Sequence, residues 1–90
     1  MTEVRELEQG LWFWTAGTTA CLYVETAAAT VLVDPLVPRG EEERFFRALD
    51  RDVERRGLPV VIVLTTHDRL SADELAERYG ARVHSPPSAA

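Results

Sequence analysis

The run from Val60 to Asp68 constrains the fold more than any other part of the sequence. Five consecutive apolar residues, four of them β-branched, lead directly into Thr65-Thr66-His67-Asp68. An apolar run of this length is typical of a central strand that is covered on both faces in an α/β protein. Because open α/β sheets bind ligands beyond the carboxyl ends of their strands, His67 and Asp68 are candidate functional residues.

Aromatic and β-branched residues fill the first third of the chain in short runs. These runs predict four strands, over residues 4–7, 11–15, 20–25 and 30–34. The connectors between them are short, and only the first, 16–19, carries a glycine suited to a tight turn. Loops of this length predict that neighbouring strands are antiparallel.

From residue 40 onward the pattern favours helices. Acidic residues at 41–43 and Arg55-Arg56 match the two ends of a helix dipole, and Gly57 is suited to end that helix. Its apolar stripe consists of Phe45, Phe46, Leu49 and Val53. A strand follows over residues 60–64. The sequence at 71–74 then matches a capping box, which predicts the start of a second helix that ends at Gly80. A last strand is predicted over 82–84.

These elements define an α/β (α+β) fold class with a β-meander followed by helix, strand, helix and strand. We expect both helices to pack on one face of a mixed sheet. A chain of 90 residues corresponds to one domain, here over 1–85, and the proline-rich end predicts a flexible tail over 86–90. Cys21 lies within a predicted strand, where it is expected to be a small core residue.

Composition excludes several classes of partner and mechanism. The net charge is -5, which argues against binding to nucleic acid or to an anionic membrane surface. All ten basic residues are arginine, so mechanisms that need a Schiff-base lysine or a phosphate-loop lysine are excluded. The chain has one cysteine, no signal-peptide pattern and no apolar run near 18 residues, which predicts a cytoplasmic protein without an internal disulfide.

Two segments together resemble the metallo-β-lactamase fold family. They are the Leu32-Val33-Asp34-Pro35 segment and the strand that ends in Thr66-His67 before a capped helix. In that family the strand ends in T-H-x-H-x-D-H, whose side chains help to bind two metal ions, zinc or iron. The resemblance implies the amino-terminal half of a fold that is built from two similar β-rich halves with helices outside.

The family's metal ligands carry over to this chain at one position only. His67 matches the first histidine of the motif, whereas Arg69, Ser71 and Ala72 stand where the family has its second histidine, its aspartate and its third histidine. Arginine donates hydrogen bonds only and stays charged, so it opposes a metal ion at that position. The resemblance therefore implies a degenerate metal site.

We expect a truncated or degenerate relative of metallo-β-lactamase-fold hydrolases, with no catalytic metal site or cofactor of its own, that acts as a binding or assembly module. The absent second half would leave an apolar face or a strand edge uncovered, which predicts a homodimer or a protein partner. The alternative is a metal-dependent hydrolase whose zinc or iron site, with His67, Asp68 and Asp34 as ligands, is completed by another chain or a second copy. Its small-molecule substrate is open. A third possibility is a small α/β domain unrelated to the family.

Each candidate residue also has a structural interpretation. Asp34 can accept hydrogen bonds from loop amides, and His67 can bond to loop carbonyls or to Asp68. Ser71 can be the N-cap of the second helix. Trp12 and Trp14 lie on one face of their strand, where they form either part of the core or an exposed binding surface.

Overall fold

The computed structural model describes residues 4–86. The predicted tail therefore falls, apart from Pro86, outside the described residues. The strands are β1 (Arg5–Glu8), β2 (Leu11–Ala16), β3 (Thr19–Glu25), β4 (Thr30–Val33), β5 (Val60–Val63) and β6 (Arg82–His84), and the helices are α1 (Glu42–Arg56) and α2 (Ala72–Tyr79). The predicted order of elements is confirmed, with most boundaries displaced by one residue.

All six strands form one mixed sheet in the order β1-β2-β3-β4-β5-β6. The pairs from β1 to β4 are antiparallel, whereas β4, β5 and β6 are parallel neighbours joined by α1 and α2. Parallel strands need a crossover connection, and the two helices supply it. The predicted meander with antiparallel neighbours is thus confirmed.

The core lies on one side of the sheet. In β4 and β5, buried residues alternate with half-buried ones, so each strand turns one side chain in two toward the helices. Leu32, Ile62 and Leu75 are fully buried and belong to one apolar cluster, to which both helices contribute. Both helices therefore pack on the same face of the sheet, as the sequence predicts.

The expectation that the strand at 60–64 is covered on both faces is wrong. Val60 and Ile62 face the helices and are buried, whereas Val61 and Val63 on the opposite side are only half-buried. An uninterrupted apolar run predicts burial on two faces, but only one layer of helices is present among residues 4–86. The consequence is an uncovered apolar surface.

Side-chain hydrogen bonds form the turn between β3 and β4, which has no glycine. The hydroxyl oxygen of Thr26 accepts hydrogen bonds from the backbone amides of Ala28 and Ala29. Arg56, at the end of α1, donates to the carbonyl oxygens of Thr26 and Ala29 and to the hydroxyl oxygen of Thr30. The turn is therefore fixed to the helix that follows it. Among residues 4–86, no helix is both long enough and apolar enough to cross a membrane.

Candidate functional site

Asp34, directly after β4, fixes the loop that follows β5. One carboxylate oxygen accepts a hydrogen bond from the backbone amide of Thr65 at 2.8 Å, and the other accepts one from the Thr65 hydroxyl. Asp34 has a φ of 48°, a left-handed conformation that aspartate tolerates better than most side chains. The carboxylate thus acts as the acceptor that joins the ends of two parallel strands.

His67 and Asp68 lie in this same exposed loop, at the carboxyl end of β5. Asp68 accepts a hydrogen bond from the amide of Leu70 at 3.0 Å, and its own amide donates to the hydroxyl oxygen of Thr66. These local bonds shape the turn in which Leu70 has a φ of 51°. They are the bonds of an Asx turn, which is a structural use of the aspartate.

The interpretation of Ser71 as a side-chain N-cap is wrong. Ser71 occupies the N-cap position of α2, but its hydroxyl makes no capping hydrogen bond. Its oxygen instead accepts the backbone amide of Val37 at 2.9 Å, and its own amide donates to the carbonyl oxygen of Pro35. Ser71 and Val37 are 5% and 1% exposed, so the hydroxyl satisfies a buried donor from the loop after β4.

The other positions that correspond to the metal motif are also occupied by structural contacts. Arg69 forms an ion pair with Asp73 one turn along α2, which raises the pKa of Arg69 and lowers the pKa of Asp73. Ala72 is fully buried in the core. Arg69 and Ala72 therefore form an ion pair and a core contact at positions where the family has metal ligands.

The donors near this loop do not fit the family's metal centre. Both carboxylate oxygens of Asp34 accept from Thr65, and one oxygen of Asp68 accepts from Leu70. Across residues 4–86, no group of three or more histidine, cysteine, aspartate or glutamate side chains is arranged to hold a metal ion. A catalytic zinc usually takes three protein ligands.

The side of the sheet away from the helices is a continuous apolar surface. Strand register places eight apolar residues there, two from each of the four central strands, and we call this set the open face. All eight are half-buried, and none belongs to the core cluster or to the residues packed against it. They are Leu11, Phe13, Leu22, Val24, Val31, Val33, Val61 and Val63.

Strand pairing places the residues of the open face beside one another across neighbouring strands. Cross-strand neighbours on one face lie about 5 Å apart, which explains why each is only half-exposed although no layer covers them. The sequence predicts an uncovered apolar face or strand edge, and a face is found. Trp14, however, is 3% exposed on the helix side, so the tryptophans do not form this surface.

A cleft lies on the helix side of the sheet, between α1 and strands β2, β3 and β4. This cleft has a volume of about 540 Å³, and its apolar lining includes Trp12, Trp14, Tyr23 and Phe45. The Trp14 indole donates to the carbonyl oxygen of Leu36, and the Tyr23 hydroxyl donates to Glu25. Burial raises the pKa of Tyr23, and the bond to Glu25 raises it further. These two polar groups are therefore committed to bonds within the protein.

An ion-pair cluster on the outer surface fixes α2 against α1. Arg78 donates two hydrogen bonds to Asp50, Tyr79 donates a third at 2.6 Å, and the Arg78 guanidinium lies 4.2 Å from the centre of the Phe46 ring. The bonds from Arg78 hold the pKa of Asp50 below its usual range. The helical layer is thus cross-linked on the side away from the open face.

Cys21 is fully buried, as expected for a core residue. Burial raises the pKa of its thiol, which reduces the fraction of reactive thiolate at neutral pH. The native chain therefore has no exposed thiol, since Cys21 is its single cysteine.

No protein-family model matches this chain, and no curated protein matches it. The likeness to the metallo-β-lactamase fold rests on the two sequence segments alone.

Proposed function

We propose that this chain is a non-catalytic binding and assembly module, a degenerate relative of metallo-β-lactamase-fold hydrolases that binds another protein surface through its open face. The observation that carries the proposal is the continuous apolar surface over four central strands. Soluble monomers rarely expose contiguous apolar patches of more than a few hundred Å², and larger ones mark interaction sites.

The contacts of the strand-end loop support the same conclusion. The side chains around this loop are engaged in fixing it: Asp34 bonds to Thr65, Ser71 to Val37, and Arg69 to Asp73, and the last two stand at ligand positions of the family's motif. Among residues 4–86, no group of three or more possible metal ligands supports the alternative of a hydrolase completed by a partner chain. The open face, by contrast, has no structural role within residues 4–86.

Cysteine labelling in intact cells tests the proposal. A Val33→Cys variant places a thiol in the centre of the open face, and Ala27→Cys places one in the exposed β3–β4 turn as a control. Cys21 is buried and contributes little labelling in the folded protein. Because Val33 is half-buried and Ala27 exposed within one chain, the reference is the ratio of the two rates in the purified chain at nanomolar concentration. With a membrane-permeable maleimide, the proposal predicts that labelling at position 33, relative to position 27, is much slower in cells than in this reference. Equal ratios would show that the open face is solvated in the cell and would overturn the proposal.

A further inference from the structure

The open face carries charged or titratable side chains along its two outer strands and none between them. Two rows of paired residues cross all six strands; a β-bulge in β1 between Glu6 and Glu8 brings Glu8 opposite Leu11 in the second row. Both rows are apolar over the four central strands and end in residues of β1 and β6. The first row is Arg5, Phe13, Leu22, Val33, Val63 and His84, and the second is Glu8, Leu11, Val24, Val31, Val61 and Arg82.

We propose that the surface bound by the open face is the open face of a second copy of this chain, related by a two-fold axis parallel to the strands. The inference rests on the proposed function and names its partner. Such an axis keeps each row at its own level and places β1 of one copy opposite β6 of the other. Glu8 then faces Arg82 of the second copy, and this pair occurs twice in the dimer.

Charge decides between this arrangement and the other simple one. Glu8 is the one acidic residue among the four that end the rows. A two-fold axis across the strands would pair Arg5 with Glu8 twice at the β1 edge and would leave both copies of Arg82 at the β6 edge with no carboxylate from either row. The axis along the strands forms the same number of Glu–Arg pairs, places Arg5 opposite His84, and provides one carboxylate at each edge. Because it keeps the unpaired arginines at opposite edges and does not gather them at one, the strand-parallel axis is the more complementary one.

The size of the face is sufficient for a dimer of modest affinity. Six strands about 4.8 Å apart and three to seven residues long give a face of roughly 400–600 Å² per copy. Two such faces bury about 1,000 Å² in total, near the lower limit for a specific protein interface. Two sheets packed in this way bring side chains into a layer about 10 Å thick, with strands nearly aligned.

Sedimentation equilibrium of the purified full chain tests the proposal. At tens of micromolar we expect a mass approaching twice 10.1 kDa. Val63→Asp places a charge in the centre of the face and should return the mass to that of one chain, whereas Ala27→Asp, in the exposed β3–β4 turn, should leave the dimer intact. Circular dichroism confirms that each variant is folded.

Exchanging the charges of Glu8 and Arg82 tests the strand-parallel axis. This test does not require the Val63 variant to fold. Glu8→Arg and Arg82→Glu should each weaken the dimer about tenfold, the effect of losing two surface ion pairs and gaining like charges, and the double variant should restore it. A wild-type chain that stays monomeric, or a double variant no better than either single one, overturns the proposal. If the purified chain is a monomer and a thiol at position 33 is still protected from labelling in cells, the open face binds a different protein. In that case the proposed function holds and the dimer proposal fails.

Discussion

Replacement of Ser71 separates two roles of its hydroxyl that predict different results. If the hydroxyl only capped α2, Ser71→Asp would keep the stability of the protein, because aspartate caps as well as serine. In the structure the hydroxyl oxygen instead accepts the amide of Val37 inside the core. Aspartate would then place a carboxylate and extra volume at a position that is 5% exposed.

The magnitudes follow from this contact. Ser71→Ala leaves the buried amide of Val37 without a partner, which costs about 1–3 kcal/mol. Ser71→Asp should cost at least as much, because overpacking alone costs about 1–3 kcal/mol and an ionised carboxylate is desolvated as well. A 90-residue chain has only about 5–13 kcal/mol of stability, so both losses are measurable.

Urea unfolding at pH 7 and pH 4.5 measures both variants. Burial raises the pKa of a new carboxyl in the folded state, so the folded aspartate variant binds more protons than the unfolded one. Its stability relative to the wild type should therefore rise as the pH falls through that raised pKa. An aspartate variant as stable as the wild type at both pH values would refute the assignment of Ser71 to Val37.

Three further predictions follow from the other contacts. Asp34→Ala should cost about 2–3 kcal/mol in urea unfolding, because it removes the acceptor for Thr65 and leaves alanine at a positive φ; Asp34→Asn should cost clearly less, and equal losses would contradict this role. Because its pKa is lowered in the folded state, the Asp50 carboxylate stabilises the fold at pH values above its unfolded pKa of about 3.9. This stabilisation is lost as the pH falls through the pKa of the folded state. The stability advantage over Asp50→Asn should therefore shrink below about pH 4, and an advantage independent of pH would refute it. Elemental analysis should find substoichiometric zinc that His67→Ala leaves unchanged; stoichiometric zinc lost in that variant would favour the hydrolase.

The order of elements could be predicted because each depends on a local pattern. Short runs of aromatic and β-branched residues mark β2 and β3, and Gly57 and Gly80, at φ values of 62° and 63°, end the two helices where the sequence places their ends. The predicted antiparallel and parallel neighbours follow from the lengths of the connections. These features need no knowledge of distant contacts.

The features that could not be predicted depend on what lies opposite in space. A run such as Val60–Val63 is equally apolar whether one or two layers cover the strand, so this run by itself wrongly predicts that both of its faces are covered. The capping-box pattern at Ser71 is local, but its hydroxyl is taken by Val37, which is 34 residues away. Asp34 was weighed both as a ligand and as an acceptor for loop amides, and the structure shows the second contact.

Labelling of residue 33 in intact cells tests the central claim, that the open face binds another protein surface, most directly. If at least nine in ten molecules are bound, the rate at Val33 relative to Ala27 should be about tenfold lower in cells than in the purified chain at nanomolar concentration. The two rates should become equal in denaturant, where neither residue is protected. A ratio in cells that equals the ratio in the dilute purified chain would contradict the claim.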